Sequence, residues 1–460
     1  MDAKRIEEFL DGRLVLDCPK ITLYPCLRAP DKKPLVGAGT IAADQPGEFL
    51  LKVFFGEAFA LEDTFVSLNW EAGQVIGVEH YYNLEACDIA GIMWTSERLL
   101  PDRSVGPEGS MIKSTFRDLR HTAHGQYRTQ GTTVKFYFND LVKVPMNTVI
   151  KEETSIEGKA RSLRSGLMIA RFSSEGVKFE VDNHSGKTVL RADFEQSEVP
   201  RSQVNRVFEA FCFVLARTNS WSVLVRLDAN EQTTWLRAVK PEPERSRIGA
   251  PLNISHHLAA RYVWKLFDKY FRHITRDSGS ACHPVSLLSR AVFESGKASL
   301  DVQALTLCVK VESLLTDEMK GLYAVSDELK EDISIATKLI TDSEALSSSF
   351  RKRVLGSLGA MRHPRAKDLL AELEKRCLID SAGAKTYGKL RNQMAHGSQE
   401  PNPDVQELLN QAGSVLVLFY QLVFLIVDYQ GGFSEYGEYG YPIKEFSGKL
   451  AQGEKSTDDA

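Results

Sequence analysis

The residues best suited to chemistry lie in one short run, Tyr387-Gly388-Lys389-Leu390-Arg391-Asn392-Gln393-Met394-Ala395-His396-Gly397. An imidazole titrates near neutral pH, so His396 is able to take up and return a proton. Arg391 stays cationic and offers a planar donor fork, suited to negative charge growing on an oxyanion or a phosphoryl group. On a helix, Asn392 lies one turn from His396 on the same face, where it would orient the imidazole or bond a phosphate. Arg391 lies about 140° round the helix from His396. A second copy of the segment, from a partner chain, would bring the two groups together. The same residues also suit a helix C-terminus, with His in the last turn, Gly after it and Arg answering the dipole. Spacing alone leaves both readings open.

Other candidates carry less. Arg117-Asp118-Leu119-Arg120-His121-Thr122-Ala123-His124-Gly125 repeats the Ala-His-Gly ending, but strand-like sequence follows, and a loop or basic patch is expected. From Met111 to Gly166 basic residues outnumber acidic ones and aromatics interleave. Such a strip either follows a phosphate backbone, with Arg117, Arg120 and Arg128 among the contacts, or is an ordinary sheet face. Ser185-Gly186-Lys187-Thr188 ends like a phosphate loop, yet Val181 stands where the first glycine belongs, so a hairpin turn is expected. His256 and His257 are adjacent, and Cys282-His283 has no second ligand pair at useful spacing. No metal site and no cofactor are expected. Asp327, Glu328, Glu331 and Asp332 follow Ser326 as a solvated first helical turn.

The elements that must position the run follow from the pattern along the chain. At 460 residues, with 43% hydrophobic content and a formal charge of −4, the chain is long enough for two or three packed domains. That charge excludes a wholly basic nucleic-acid coat, so any such site is local. Period-two segments such as Arg13 to Leu27, Glu48 to Phe55, Thr133 to Phe138 and Thr188 to Asp193 predict a β-rich domain over 1–240, with one helix from Ser202 to Ala216. Residues 241–254 read as a charged, Pro-rich linker. From 255 to 430 the period becomes helical, beginning with the stripe Leu258, Tyr262, Leu266, Phe267, Tyr270, Phe271 and Ile274. Further helices are expected near 284–296, 302–319, 327–357, 366–379, 384–396 and 404–430, the last opened by Asp404 and Glu407 as a capping box. Residues 431–460 read as a Gly/Tyr-rich, then polar, tail. The expected class is α+β multidomain: a β-rich N-terminal domain and an all-α bundle.

Seven cysteines without a CxxC pair fit a reducing cytoplasm, and the charged N-terminus does not resemble a signal peptide. The apolar run Val415 to Val427 is interrupted by Gln421 and is too short to span a bilayer, so a buried helix and no membrane partner are expected.

The run Arg391, Asn392, His396, followed by a strongly apolar helix, resembles the HEPN family over about 255–430. Active members carry an Arg, often followed by a polar residue, and a His four to six positions later. The helix around Ala304 to Leu315 is similar to an early family helix with an internal acidic residue, which would make Glu312 a supporting group. The resemblance implies a HEPN-like bundle that dimerises, sets two motifs at one interface and cleaves RNA without metal, with Arg391, His396 and Asn392 catalytic; Lys389, in the same run, is a candidate RNA contact. The two-domain layout resembles ApeA-type anti-phage defence proteins. That implies an abortive-infection effector whose N-terminal domain meets a phage-derived activator. The rival expectation is a non-catalytic HEPN nucleotide- or RNA-binding adaptor.

Overall fold

The computed structural model describes residues 3–27, 33–45, 47–55, 73–106, 109–156, 159–184, 186–218, 220–240, 248–277, 279–323, 325–396 and 404–450. Within these, the side chains of 44, 45, 105, 106, 109, 150–156, 159–168, 184, 318, 395 and 396 are outside the description. The chain divides into two compact units, Met1–Val204 with Asn219–Glu244, and Asn205–Thr218 with Arg245–Ala460.

The first unit is built on one antiparallel sheet in which fifteen strands are described. Alternation decides which way each side chain faces: Thr132–Phe138 buries every second residue, Val134, Phe136 and Phe138 among them. Phe49, Leu51, Val53, Trp94, Leu119 and Leu236 meet in one core with the N-terminal helix Ala3–Leu10. Toward the middle of the sheet, Glu231–Arg237 pairs with Asp118–His124, followed in order by Met93–Leu99, Tyr82–Cys87 and Val15–Pro25. The expected hairpin is present, with Val177–His184 paired to Lys187–Phe194. Gly186 takes the left-handed conformation (φ +77°) that its turn requires.

The second unit is helical. Ala259–Thr275 carries the expected stripe inward, with Phe267, Tyr270, Phe271 and Ile274 fully buried. Val405–Ile426 begins where Asp404 accepts hydrogen bonds from the Gln406 and Glu407 backbone N–H groups. This helix is long and apolar enough to cross a membrane, but Val415, Leu418, Phe419, Leu422, Val423 and Phe424 are buried among neighbouring elements, as in a core helix. The long helix expected over 327–357 is two helices, Asp327–Asp342 and Ser348–Met361. Ser343 turns to extended backbone, and Ser347 caps the second helix by accepting the Phe350 N–H at its hydroxyl, a bond that favours a new helix start there. The helix expected over 302–319 is Leu300–Ser313 followed by the short turn Asp317–Lys320.

Two segments lie elsewhere than their position in the chain suggests. Most of the helix Arg201–Leu215 belongs to the helical unit, where Phe213 stacks on Tyr270 at 4.1 Å. Residues after 430 add a strand pair, Gly431–Ser434 with Ile443–Phe446, whose Phe433 and Phe446 pack around Phe424. The chain is thus α+β with two domains.

Candidate active site

Arg391 and Asn392 lie on the helix Ser381–His396, whose Tyr387 and Leu390 are buried one turn apart. At Gly383 this helix closes on Val405–Ile426, and a Cβ there would stand 3.0 Å from the Leu418 Cβ. Glu312 projects from Leu300–Ser313, which buries Leu307, Cys308 and Val311. Packing of these helices gathers three polar groups. The Glu312 Oε1 accepts a hydrogen bond from the Tyr387 hydroxyl at 2.8 Å and another from Arg391 Nε at 2.8 Å.

This carboxylate fixes the arginine in a definite rotamer while leaving the outer part of its fork accessible, since the Arg391 side chain is 40% exposed. The hydrogen bond and charge of Glu312 make Arg391 hold its proton still more firmly than usual. Burial first, and then Glu312, raises the Tyr387 phenol well above its ordinary range. Tyr387 is therefore a neutral donor to the carboxylate. The neighbouring Cys308 thiol is pushed up to about 12 by burial and stays protonated near neutral pH, so it supplies no thiolate.

A cavity of about 640 Å³ opens beside this trio. Arg365, Lys367, Lys385, Lys389 and Arg391 line it against Glu312 and Glu374, so its wall carries an excess of positive charge. Lys389 pairs with Glu407 at 2.7 Å and Lys385 with Glu374 at 3.9 Å. Among the described residues, the Lys367 ammonium and the Arg365 guanidinium have no ion-pair partner, and the Asn392 side chain makes no hydrogen bond there. The arrangement is able to grip a polyanion and to stabilise charge growing on it.

His396 closes the helix, and its side chain lies outside the described residues, as does Gly397. Of the other sequence candidates, Glu312, Lys389, Arg391 and Asn392 share the one cavity. Arg117, Arg120 and Arg128 belong to the β-rich unit. The second Ala-His-Gly run lies on the strand Asp118–His124: His121 is buried with Nδ1 2.9 Å from the Met93 carbonyl oxygen, and His124 is exposed, 4.0 Å from Glu231. Ser185 lies outside the described residues. Among the described residues, no three His, Cys, Asp or Glu side chains gather as a metal would require.

Sequence reasoning missed Tyr387, Arg365, Lys367 and Lys385. Lys385 and Lys389 share a helix face at i, i+4, a signal that was available. Arg365 and Lys367 come from the start of the helix Ala366–Lys375, and only tertiary packing brings them in. In comparisons with family models, curated proteins and solved structures, nothing matches this chain.

Proposed function

We propose that the protein is an endoribonuclease that cleaves single-stranded RNA without a metal ion, using a HEPN-like helical unit. The observation that carries the reading is the Arg391 guanidinium, held through Nε by Glu312 at the wall of a cation-lined cavity, five positions before a histidine. RNA brings its own nucleophile: the ribose 2′-OH stands next to the scissile phosphate, so positioning and proton transfer suffice. His396 removes the 2′-OH proton or protonates the leaving 5′-oxygen. Arg391 offsets charge on the phosphoryl oxygens, and Asn392 orients His396 or bonds phosphate. Two copies of the chain, paired through the helical unit, supply the two groups to one substrate. In the cytoplasm, the β-rich unit senses a phage-derived activator and releases this activity as abortive infection.

The test is incubation of purified protein with single-stranded RNA in excess EDTA. The expected upstream fragment ends in a 2′,3′-cyclic phosphate, the downstream one begins with 5′-OH, and single-stranded DNA survives. Arg391→Ala and His396→Ala should each lower cleavage by about 10²- to 10⁴-fold, and the losses should not multiply. Cleavage that needs magnesium and leaves 5′-phosphate ends would refute the mechanism. The ion pair of Arg391 with Glu312 favours one second reading, a binding module in which the arginine is structural. RNA binding by the wild type with no cleavage would select it.

A further inference from the structure

The β-rich unit contains a cavity of about 1180 Å³ lined by the strands Glu231–Arg237, Asp118–His124, Met93–Leu99, Tyr82–Cys87 and Val15–Pro25, with Arg201 reaching it from the first residue of the helix Arg201–Leu215. Three of its guanidinium groups, those of Arg98, Arg120 and Arg201, have no carboxylate or hydrogen-bond partner among the described residues. Arg237, by contrast, is satisfied by Asp118 at 2.6 Å. Arg120 and Arg201 both lie against Trp235, each with its central carbon 5.7 Å from the ring centroid. The ring orients the two planar forks without neutralising them.

Arg98 is held by a different device. The pairing of Tyr82–Cys87 with Met93–Leu99 shifts register between Tyr82 and Leu84, and Arg98 sits at this irregularity with φ +58°. Its backbone N–H donates to the Asn83 Oδ1 at 3.3 Å. A bulge of this kind redirects a side chain, and a non-glycine residue in the left-handed region carries a backbone cost that glycine would not. Three cations without a carboxylate partner share one cavity, and the backbone at one of them is strained, an arrangement suited to an anionic ligand that meets all three. Glu85 and Glu97 line the same wall and accept hydrogen bonds only, which phosphate oxygens cannot supply and the N–H groups of a nucleobase can.

We propose that this cavity binds a nucleoside polyphosphate, its phosphates on the forks of Arg98, Arg120 and Arg201 and its base toward Glu85 and Glu97. The proposal is independent of the nuclease reading. Its test is titration calorimetry and thermal denaturation of the full chain with ATP, GTP and inorganic triphosphate, in wild type and in Arg98→Gly and Arg120→Ala. Glycine suits the left-handed backbone, so Arg98→Gly should melt at or above the wild-type temperature without ligand while its affinity for the preferred nucleotide falls at least about tenfold. Arg120→Ala should lose a similar factor, and Arg391→Ala none. Several results would overturn the assignment: no saturable binding of either nucleotide at about 1 mM, affinity unchanged in both β-unit variants, or loss in Arg391→Ala. Inorganic triphosphate binding as tightly as ATP and GTP would also overturn it, since the base would then contribute nothing.

Discussion

The carboxylate of Glu312 serves two donors at once, so removing it and merely neutralising it should have different costs. In Glu312→Ala the Tyr387 hydroxyl, on a residue only 4% exposed, loses its acceptor, which costs about 1–3 kcal/mol. The pair with Arg391 adds less, about 0.2–1 kcal/mol, because both side chains are more than a third exposed and water screens them. The expected total is about 1–4 kcal/mol, or roughly 2–16 °C in the melting of a unit of this size. Glu312→Gln keeps an oxygen that accepts from both Tyr387 and Arg391 and loses only the charge, so it should cost about 1 kcal/mol or less. Urea denaturation followed by a probe in the helical unit distinguishes the two, and cleavage of RNA by Glu312→Gln should fall about tenfold as Arg391 loosens. A double-mutant cycle of Glu312→Ala with Tyr387→Phe isolates the shared hydrogen bond, with a coupling of about 0.5–3 kcal/mol expected. Additive costs in that cycle, or equal costs for Ala and Gln, would refute the reasoning.

Three further outcomes are expected. In a His396→Ala background, adding Lys367→Ala and Lys385→Ala should flatten the salt dependence of single-stranded RNA binding by about 1.4 in log–log slope, two phosphates at about 0.7 each. An unchanged slope in filter binding would show that these cations do not meet phosphate. His283 caps the helix Pro284–Ser295 by accepting the Val285 N–H at Nδ1, and burial, aided by the charges of His273 and Arg206, lowers it to about 4. The fold therefore favours the neutral ring: this contribution is complete above about pH 6.5 and falls, by up to about 3 kcal/mol, as pH drops toward 4. Melting curves of His283→Asn should lack that part of the pH dependence, and identical curves would refute it. Burial disfavours the Asp88 carboxylate, but hydrogen bonds from the Ile92 N–H, the Trp94 indole and Arg5 more than offset this and hold it below the usual range. Asp88→Asn should cost about 2–4 kcal/mol at pH 7, with the gap to wild type closing as pH falls below about 4; a gap constant with pH would show that the charge is immaterial.

What was legible in the sequence is what depends on neighbours along the chain. Alternation at Thr132–Phe138, the stripe on Ala259–Thr275 and the Asp404 cap are local patterns, and the folded chain keeps each of them. The helix Arg201–Leu215 was legible as a helix, yet nothing local tells Phe213 that it joins the helical unit, where its partner is Tyr270. The break after Asp342 was obscured because leucine and isoleucine continue the period across it while the serines that end it have only a modest propensity cost. Arg98 was invisible for a sharper reason: a left-handed strand residue is announced by glycine, and here the chain places an arginine.

The same distinction governs the candidate active site. Arg391, Asn392 and His396 are within six residues of one another, so their spacing is a property of the sequence itself. Glu312 came only through a resemblance, and nothing along the chain tells Tyr387, 75 positions away, that its hydroxyl meets Glu312 at 2.8 Å. The cations that would hold a substrate come from two separate stretches of chain, the start of Ala366–Lys375, which buries Leu369, Leu370 and Leu373, and the helix Ser381–His396. A motif read from sequence thus names the groups that would react, while grip is a tertiary property. It follows that changes at Arg365, Lys367 and Lys385 should move KM and salt dependence, with kcat left to Arg391 and His396; kcat falling with KM unchanged in the lysine variants would show that division to be false.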